Sequence, residues 1–169
     1  MNVDNLRTEE SIRKLIMALK AQKIDNACIQ ETHNERNDTY VENDYIIIFG
    51  RNEEDTHIQT NESETNLKAG AAISIKKTIL PLVKGIYRTN GRIMEIRLKT
   101  GKSIKDISIL NTYTPHTGYP IEYINRYWGK VKAYISLIPN KLIKIWRTDN
   151  NGQLCRNDAN QTNKHWAMG

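Results

Sequence analysis

The chain has 169 residues, of which 38% are hydrophobic and 26% charged, a composition typical of one globular domain with its own core. The N-terminus carries charges instead of an apolar run, and no later segment is long and apolar enough to span a bilayer, which excludes a signal peptide and a membrane helix. The formal net charge of +6 attracts polyanions such as nucleic acid, although Lys residues spread along a chain are also typical of an ordinary solvated surface.

The cysteine content points to a reducing compartment. The sequence holds only Cys28 and Cys155, and their spacing fits neither a disulfide framework nor a zinc site. We therefore expect an intracellular protein, and nothing in the sequence separates nucleus from cytoplasm.

The first predicted element is an amphipathic helix from Thr8 to Lys20. Thr8 is a suitable N-cap, and the apolar residues recur at helical spacing: Ile12, Leu15, Ile16 and Leu19. A short apolar run, Ala27 to Ile29, then predicts a buried strand that stops at the polar sequence Gln30-Glu31-Thr32-His33.

The middle of the chain is predicted to be mostly sheet. Tyr45 to Phe49 is typical of a strand, and the polar stretch from Asn52 to Asn66 predicts an exposed loop. Three further strand-like runs follow, from Gly70 to Ile75, Gly91 to Leu98 and Ile107 to Tyr113.

A second helix and one more strand complete the predicted elements. Pro120 suits a first helical turn, and the helix ends before Pro139, with the apolar stripe Ile121, Ile124, Trp128, Val131, Ile135 and Ile138. The run from Leu142 to Trp146 predicts a buried strand that stops at the polar sequence Arg147 to Gly152.

Two carboxylates, Glu31 and Asp149, each follow a predicted buried strand. In α/β proteins the loops after such strands often converge on a ligand site, and hard cations such as magnesium take carboxylate and carbonyl oxygens. Asp4 and Asn151 also carry suitable oxygens. Taken singly, each of these residues is more readily an ordinary surface or turn residue at a strand end than a metal ligand.

Five motifs fall in the order and approximate spacing of one known family. They are Met1-Asn2-Val3-Asp4-Asn5-Leu6, Ile29-Gln30-Glu31-Thr32, Gly91-Arg92, Asn111-Thr112-Tyr113-Thr114-Pro115 and Thr148-Asp149-Asn150-Asn151. In these motifs the chain resembles the endonuclease/exonuclease/phosphatase family, and in particular the apurinic/apyrimidinic-type endonuclease domains of non-LTR retrotransposons. The resemblance implies an α/β fold, a four-layer sandwich of two sheets, and a phosphodiester hydrolase that uses magnesium, with manganese as an alternative.

The resemblance also implies roles at the metal and the attacking water. Glu31 matches the family's metal-binding glutamate, and Asp4 an acidic position near the metal. Asp149 matches the aspartate that positions or deprotonates the water, and Asn151 the asparagine beside it. Asn2 matches the asparagine that ends the family's first strand.

Three further positions are matched to the substrate phosphate and its surroundings. Tyr113 matches the tyrosine whose hydroxyl reaches the phosphate. Arg92 follows a glycine as in the family and is expected to be either structural or substrate-supporting, because a cation near phosphate and a surface ion pair look identical in sequence. His116 stands where related nucleases often carry asparagine and is a secondary candidate for substrate contact.

The chain departs from the family pattern at both ends. The closing Ser-Asp-His motif and the aspartate before it have no counterpart, and the first strand would begin before Met1. We therefore expect residues 1–155 to form the N-terminal part of such a domain, C-terminally truncated, with a polar tail over residues 156–169.

Three hypotheses about function stay open at the level of sequence. The first is a DNA endonuclease domain of a retrotransposon polyprotein that also carries a reverse transcriptase. The second is a catalytically inactive remnant that binds nucleic acid weakly. The third is a phosphatase of the same fold.

Overall fold

Two sheets and two α-helices, with one short 3-10 helix, make up the part of the chain that the computed structural model describes, which is residues 6–34, 39–50, 70–101 and 104–151. In chain order the elements are α1 (Glu9–Ala21), β1 (Asn26–Ile29), β2 (Thr39–Glu42), β3 (Tyr45–Phe49), β4 (Ala72–Lys76), the 3-10 helix (Lys77–Leu82), β5 (Val83–Asn90), β6 (Ile93–Leu98), β7 (Ile107–Tyr113), α2 (Ile121–Leu137) and β8 (Ile143–Asp149).

Helix α1 forms where its sequence pattern predicts it. The Thr8 side chain accepts a hydrogen bond from the Ser11 backbone N–H at 3.1 Å, and acidic residues occupy the first turn, where they complement the helix dipole. The four apolar positions of the predicted stripe are buried. They pack against β1, β3 and β4 and so cover one face of the first sheet.

The first sheet has the strand order β1-β4-β3-β2, and all its neighbours are antiparallel. The predicted strands at residues 27–29, 45–49 and 70–75 are confirmed within a residue or two. Strand β2 was not predicted. The register sets Ile29 opposite Ala72, so the chain leaves β1 beside the start of β4.

The second sheet has the order β5-β6-β7-β8, with β7 and β8 parallel and the other pairs antiparallel. The expectation of a buried last strand was wrong. Strand β8 runs on to Asp149, and its large residues Ile143 and Trp146 are 42% and 41% exposed. The physical reason is that β8 is an edge strand, which among the described residues pairs with β7 alone.

Three apolar clusters separate four layers. Helix α1 covers the outer face of the first sheet, the two sheets pack on each other through residues such as Ile73, Met94 and Ile96, and α2 covers the second sheet with Tyr127 and Val131. Ile121, placed on the buried stripe of α2 by its spacing, is 60% exposed. The expected four-layer α/β sandwich is confirmed.

Several predicted features lie outside the described residues: Asn2, Asp4, the loop from Asn52 to Asn66, and the tail at residues 156–169. Within the described ranges, neither helix is both long and apolar enough to cross a membrane.

Candidate functional site

Glu31 follows β1 directly and is held in an unusual backbone conformation. Its φ of 58° is left-handed, and His33 shares this conformation with a φ of 46°. Between them Thr32 is buried, and its backbone N–H donates to the Gly70 carbonyl at 3.0 Å. The chain therefore turns sharply as it leaves the sheet, and the Glu31 side chain is left only partly buried.

A glycine allows this turn to pack closely. A Cβ at Gly70 would lie 1.9 Å from the Thr32 hydroxyl oxygen, so a larger residue there would force Thr32 or the chain at Gly70 to shift. Gly70 was not singled out in the sequence.

Tyr113, from the second sheet, contacts Glu31, which follows a strand of the first sheet. It is the last residue of β7, and its hydroxyl donates to Glu31 Oε1 at 3.3 Å. Burial, and then the negative charge of Glu31, raise the pKa of Tyr113 to about 12. The phenol therefore stays protonated near neutral pH and can donate a hydrogen bond to an anionic group.

Asp149 and Asn151 lie beside Tyr113. Asp149 is the parallel-ladder partner of Tyr113, so the two side chains share a face of the sheet, on strands about 4.8 Å apart. Asp149 Oδ1 accepts the Asn151 backbone N–H at 3.0 Å, and Asn151 Nδ2 donates to the Thr114 carbonyl at 2.8 Å. These bonds hold Asn151 in a left-handed conformation, with a φ of 41°.

A buried polar bridge beneath these residues joins the two sheets. Asn111 Oδ1 accepts from Gln30 Nε2 at 2.6 Å, and Asn111 Nδ2 donates to the carbonyls of Ile29 and Ala72 at 3.1 and 2.8 Å. Asn111 is fully buried. Sequence reasoning gave no role to this pair, although an amide side chain inside an apolar strand run was the available signal, since buried polar groups need partners.

Arg92, expected to be structural or substrate-supporting, and His116, a secondary candidate for substrate contact, occupy different environments. Arg92 is only 3% exposed and donates to the Tyr113 carbonyl at 3.3 Å and to the Tyr119 hydroxyl at 3.0 Å. His116 is exposed, accepts the Gly118 backbone N–H at its Nδ1 and lies edge-on to the Tyr119 ring. Of the two, only His116 offers its side chain to solvent.

The described part of the chain contains no group of three or more His, Cys, Asp or Glu placed to share a metal ion. Glu31, Tyr113, Asp149 and Asn151 come together, whereas Asn2 and Asp4 lie outside the described residues. The oxygen atoms that converge are carboxylate, amide and phenol oxygens, which suit a hard cation better than a soft one.

A cavity of about 550 Å³ opens between β1, β7 and β8, next to the site. Gln30, Arg147 and Thr148 contribute its polar lining, and Cys28 lies in its wall. Burial raises the pKa of the Cys28 thiol to about 11, which makes this cysteine a protonated packing residue and a poor nucleophile near neutral pH.

No protein-family model and no curated protein matches this sequence. Its structure is similar to the endonuclease domain of TRAS1, a telomere-specific non-LTR retrotransposon, with a TM-score of 0.53 and 18% identity over 90% of this chain and 58% of that one. It is also similar to the AP endonuclease LMAP from Leishmania major, with a TM-score of 0.57 and 16% identity over 88% of this chain and 53% of that one. The chain thus has an AP-endonuclease-like fold and spans a little over half the length of these two structures.

Proposed function

We propose that this chain carries the site of a divalent-metal-dependent phosphodiester hydrolase that acts on DNA. The observation that supports the proposal best is the contact of Tyr113 with Glu31, because it joins the ends of two strands from different sheets. The Tyr113 phenol thereby lies near the Glu31 carboxylate and beside the Asp149 carboxylate and the Asn151 amide. The fold shared with two nucleases and the positive net charge add support.

The donor set fits magnesium bound through few protein ligands. Magnesium keeps several waters and is commonly held by one or two carboxylates together with substrate phosphates, and the Glu31 carboxylate suits this kind of binding. Glu31 would be its main ligand in the described residues. Bound there, the ion would supply positive charge to offset the charge that develops on the phosphate.

Asp149 is the group that would act on the attacking water. One of its oxygens is engaged by the Asn151 N–H, which fixes the carboxylate, and the other can accept a hydrogen bond from water. Asn151 is itself anchored to Thr114, so the two side chains form a rigid pair that can orient the nucleophile.

Tyr113 would serve as a hydrogen-bond donor to the phosphate. Its pKa of about 12 keeps the proton on the hydroxyl, and its environment is partly desolvated, which strengthens a bond to a developing negative charge. In the absence of substrate, the Glu31 carboxylate accepts this bond.

DNA is the proposed substrate because both similar structures are endonucleases, one of them from a retrotransposon. A retrotransposon polyprotein with a reverse transcriptase is the proposed origin. A phosphatase of the same fold is the alternative substrate class. A catalytically inactive form that binds nucleic acid is the second alternative.

The test is nicking of supercoiled plasmid by the full 169-residue chain with magnesium, with manganese and with a chelator. We expect nicking that depends on the metal, and a loss of at least about 100-fold in Glu31→Gln and in Asp149→Asn, the usual size of a general-base or electrostatic contribution. Matched controls are Glu42→Gln and Asp106→Asn, which change carboxylates paired with Arg13 and Lys84 at the opposite ends of the strands.

The controls should nick at the wild-type rate. Equal nicking by wild type, Glu31→Gln and Asp149→Asn would overturn the proposed site. Salt-sensitive DNA binding without turnover would establish the inactive form instead, and release of phosphate from a monoester without nicking would establish the phosphatase.

A further inference from the structure

Arg92 is a buried cation tied to the main chain of Tyr113. It lies just before β6, and its Nη1 donates to the Tyr113 carbonyl, while the Tyr113 backbone N–H donates to the Arg92 carbonyl at 2.9 Å. The backbone of Tyr113 is thus fixed by Arg92 at both its donor and its acceptor.

The guanidinium also contacts two aromatic rings. Its central carbon lies 5.1 Å from the centre of the Tyr113 ring and 5.2 Å from that of Tyr119, within the range of a cation–π contact for both. A desolvated cation between two rings restrains their tilt and separation. Arg92 therefore restrains the Tyr113 ring as well as its backbone.

Tyr119 connects this arrangement to the surface. Its hydroxyl accepts from Arg92 Nη2, its ring meets the exposed His116 ring edge-on at 4.7 Å, and it stacks on Tyr123 of α2 at 5.0 Å. A continuous set of contacts thus runs from His116 at the surface to Tyr113 in the candidate site.

We propose that Arg92 is a positioning residue. It holds the Tyr113 side chain so that the Tyr113 hydroxyl lies at Glu31, and through Tyr119 it connects Tyr113 to the loop that carries His116. This proposal rests on the proposed function and deepens it. Of the two roles that the sequence left open for Arg92, structural and substrate-supporting, it takes the structural one, because a side chain 3% exposed and directed at Tyr113 and Tyr119 offers little surface to a phosphate.

The experiment measures Tyr113 directly. 3-Fluorotyrosine is incorporated at position 113 of the full chain, and its fluorine resonance is followed in wild type, Arg92→Lys, Arg92→Met and Tyr119→Phe. The fluorine resonance reports the surroundings of the Tyr113 ring, whose centre lies 5.1 Å from the Arg92 guanidinium carbon. We expect Arg92→Met to shift the resonance, with smaller changes in Arg92→Lys and Tyr119→Phe.

Nicking kinetics provide the second readout. A misplaced Tyr113 should lower kcat about 10- to 100-fold in Arg92→Met with a KM within about threefold of wild type, since only the alignment for reaction is lost. The matched control is Arg97→Lys, which changes a guanidinium that also stacks on a tyrosine, Tyr87, at 4.3 Å, away from the site. It should alter neither the fluorine signal nor kcat.

Two results would overturn the positioning role: a raised KM with unchanged kcat, which indicates substrate contact, or a Tyr113 signal that stays as in the Arg97→Lys control. Should Arg92→Met fail to fold, Arg92→Lys and Tyr119→Phe still decide the question. If the wild type does not nick DNA, the fluorine shift alone decides it, so that the proposed function can fail while the positioning role is upheld.

Discussion

The backbone at Glu31 is strained where the chemistry would need an accurately placed carboxylate. A left-handed conformation costs an L-residue other than glycine about 1 to 2 kcal/mol, and Glu31 adopts it with a φ of 58°. Such strain persists only where surrounding contacts impose it. Here the contacts between Thr32 and Gly70 hold the residue that directly follows Glu31.

The protein with glycine at position 31 should therefore be more stable than the protein with alanine there. We expect Glu31→Gly to exceed Glu31→Ala in free energy of unfolding by about 1 kcal/mol, measured by urea denaturation, with both variants inactive. At Met17, an exposed position within α1, the order should reverse, and alanine should exceed glycine by about 1 kcal/mol. The same order at both positions would mean that Glu31 is unstrained.

Asn111 should be costly to replace because it bonds to three polar groups of the first sheet inside the core. The carbonyls of Ile29 and Ala72 also belong to the β1–β4 ladder, so truncation in Asn111→Ala leaves chiefly the buried Gln30 amide without this partner, at a cost of about 1 to 3 kcal/mol. We expect a loss of at least about 1 kcal/mol in urea denaturation. A smaller loss, below about 1 kcal/mol, would show that Asn111 does not bridge the sheets.

Ser74 provides the control for Asn111. Its hydroxyl is also fully buried, but within the described residues it has no hydrogen-bond partner. Removal of an unsatisfied hydroxyl in Ser74→Ala should leave stability unchanged or slightly raised.

The motifs pointed to four residues of the candidate site that the fold brings together: Glu31, Tyr113, Asp149 and Asn151. The motifs did not show which atoms meet, because Glu31 and Tyr113 belong to different sheets and their contact depends on how those sheets pack. For the same reason the burial of Arg92 could not be anticipated.

At the scale of elements, Glu95 of β6 links α2 to the second sheet by a side-chain hydrogen bond. Its carboxylate is fully buried and accepts hydrogen bonds from Arg97, Ser108 and Tyr134, the last of which belongs to α2. Burial by itself raises the pKa of Glu95, but the hydrogen bonds and the Arg97 charge outweigh it, so the net shift is downward.

This lowered pKa predicts a pH dependence of stability. A carboxylate whose folded pKa lies below its unfolded value stabilises the protein above the unfolded pKa, and that contribution is lost as the pH falls through the folded one. Urea midpoints measured from pH 7 to pH 3 should therefore fall more steeply in wild type than in Glu95→Gln. Midpoints that fall equally with pH in wild type and Glu95→Gln would show that the hydrogen bonds to the Glu95 carboxylate add no stability.

The elements were predictable where side-chain patterns were regular. Helix α1 has a cap and a clean stripe, and β3 and β7 have β-branched apolar runs. Strand β5 was not predicted because Gly85 and charged residues interrupt its apolar pattern. Strand β8 was predicted to be buried because its sequence is largely apolar, whereas the strand order places it at the edge of the second sheet. Sheet order is set by packing over long sequence separations, which no local pattern records.

At the scale of the whole molecule, the net charge of +6 should make DNA binding depend on salt. If about two phosphates are contacted, affinity for a short duplex should fall roughly tenfold between 50 and 200 mM salt. Fluorescence anisotropy with the metal chelated measures this without turnover. Affinity that is independent of salt would exclude a phosphate-binding surface.

The central claim is that Glu31 of the first sheet and Asp149 of the second act on one reaction. It is tested most directly by the nicking rates of wild type, Glu31→Gln, Asp149→Asn and the double variant. Residues that act as a unit have strongly non-additive effects, so the double variant should be no more than about threefold slower than the slower single variant. A double variant whose loss equals the product of the two single losses, or single variants that nick at the wild-type rate, would contradict the claim.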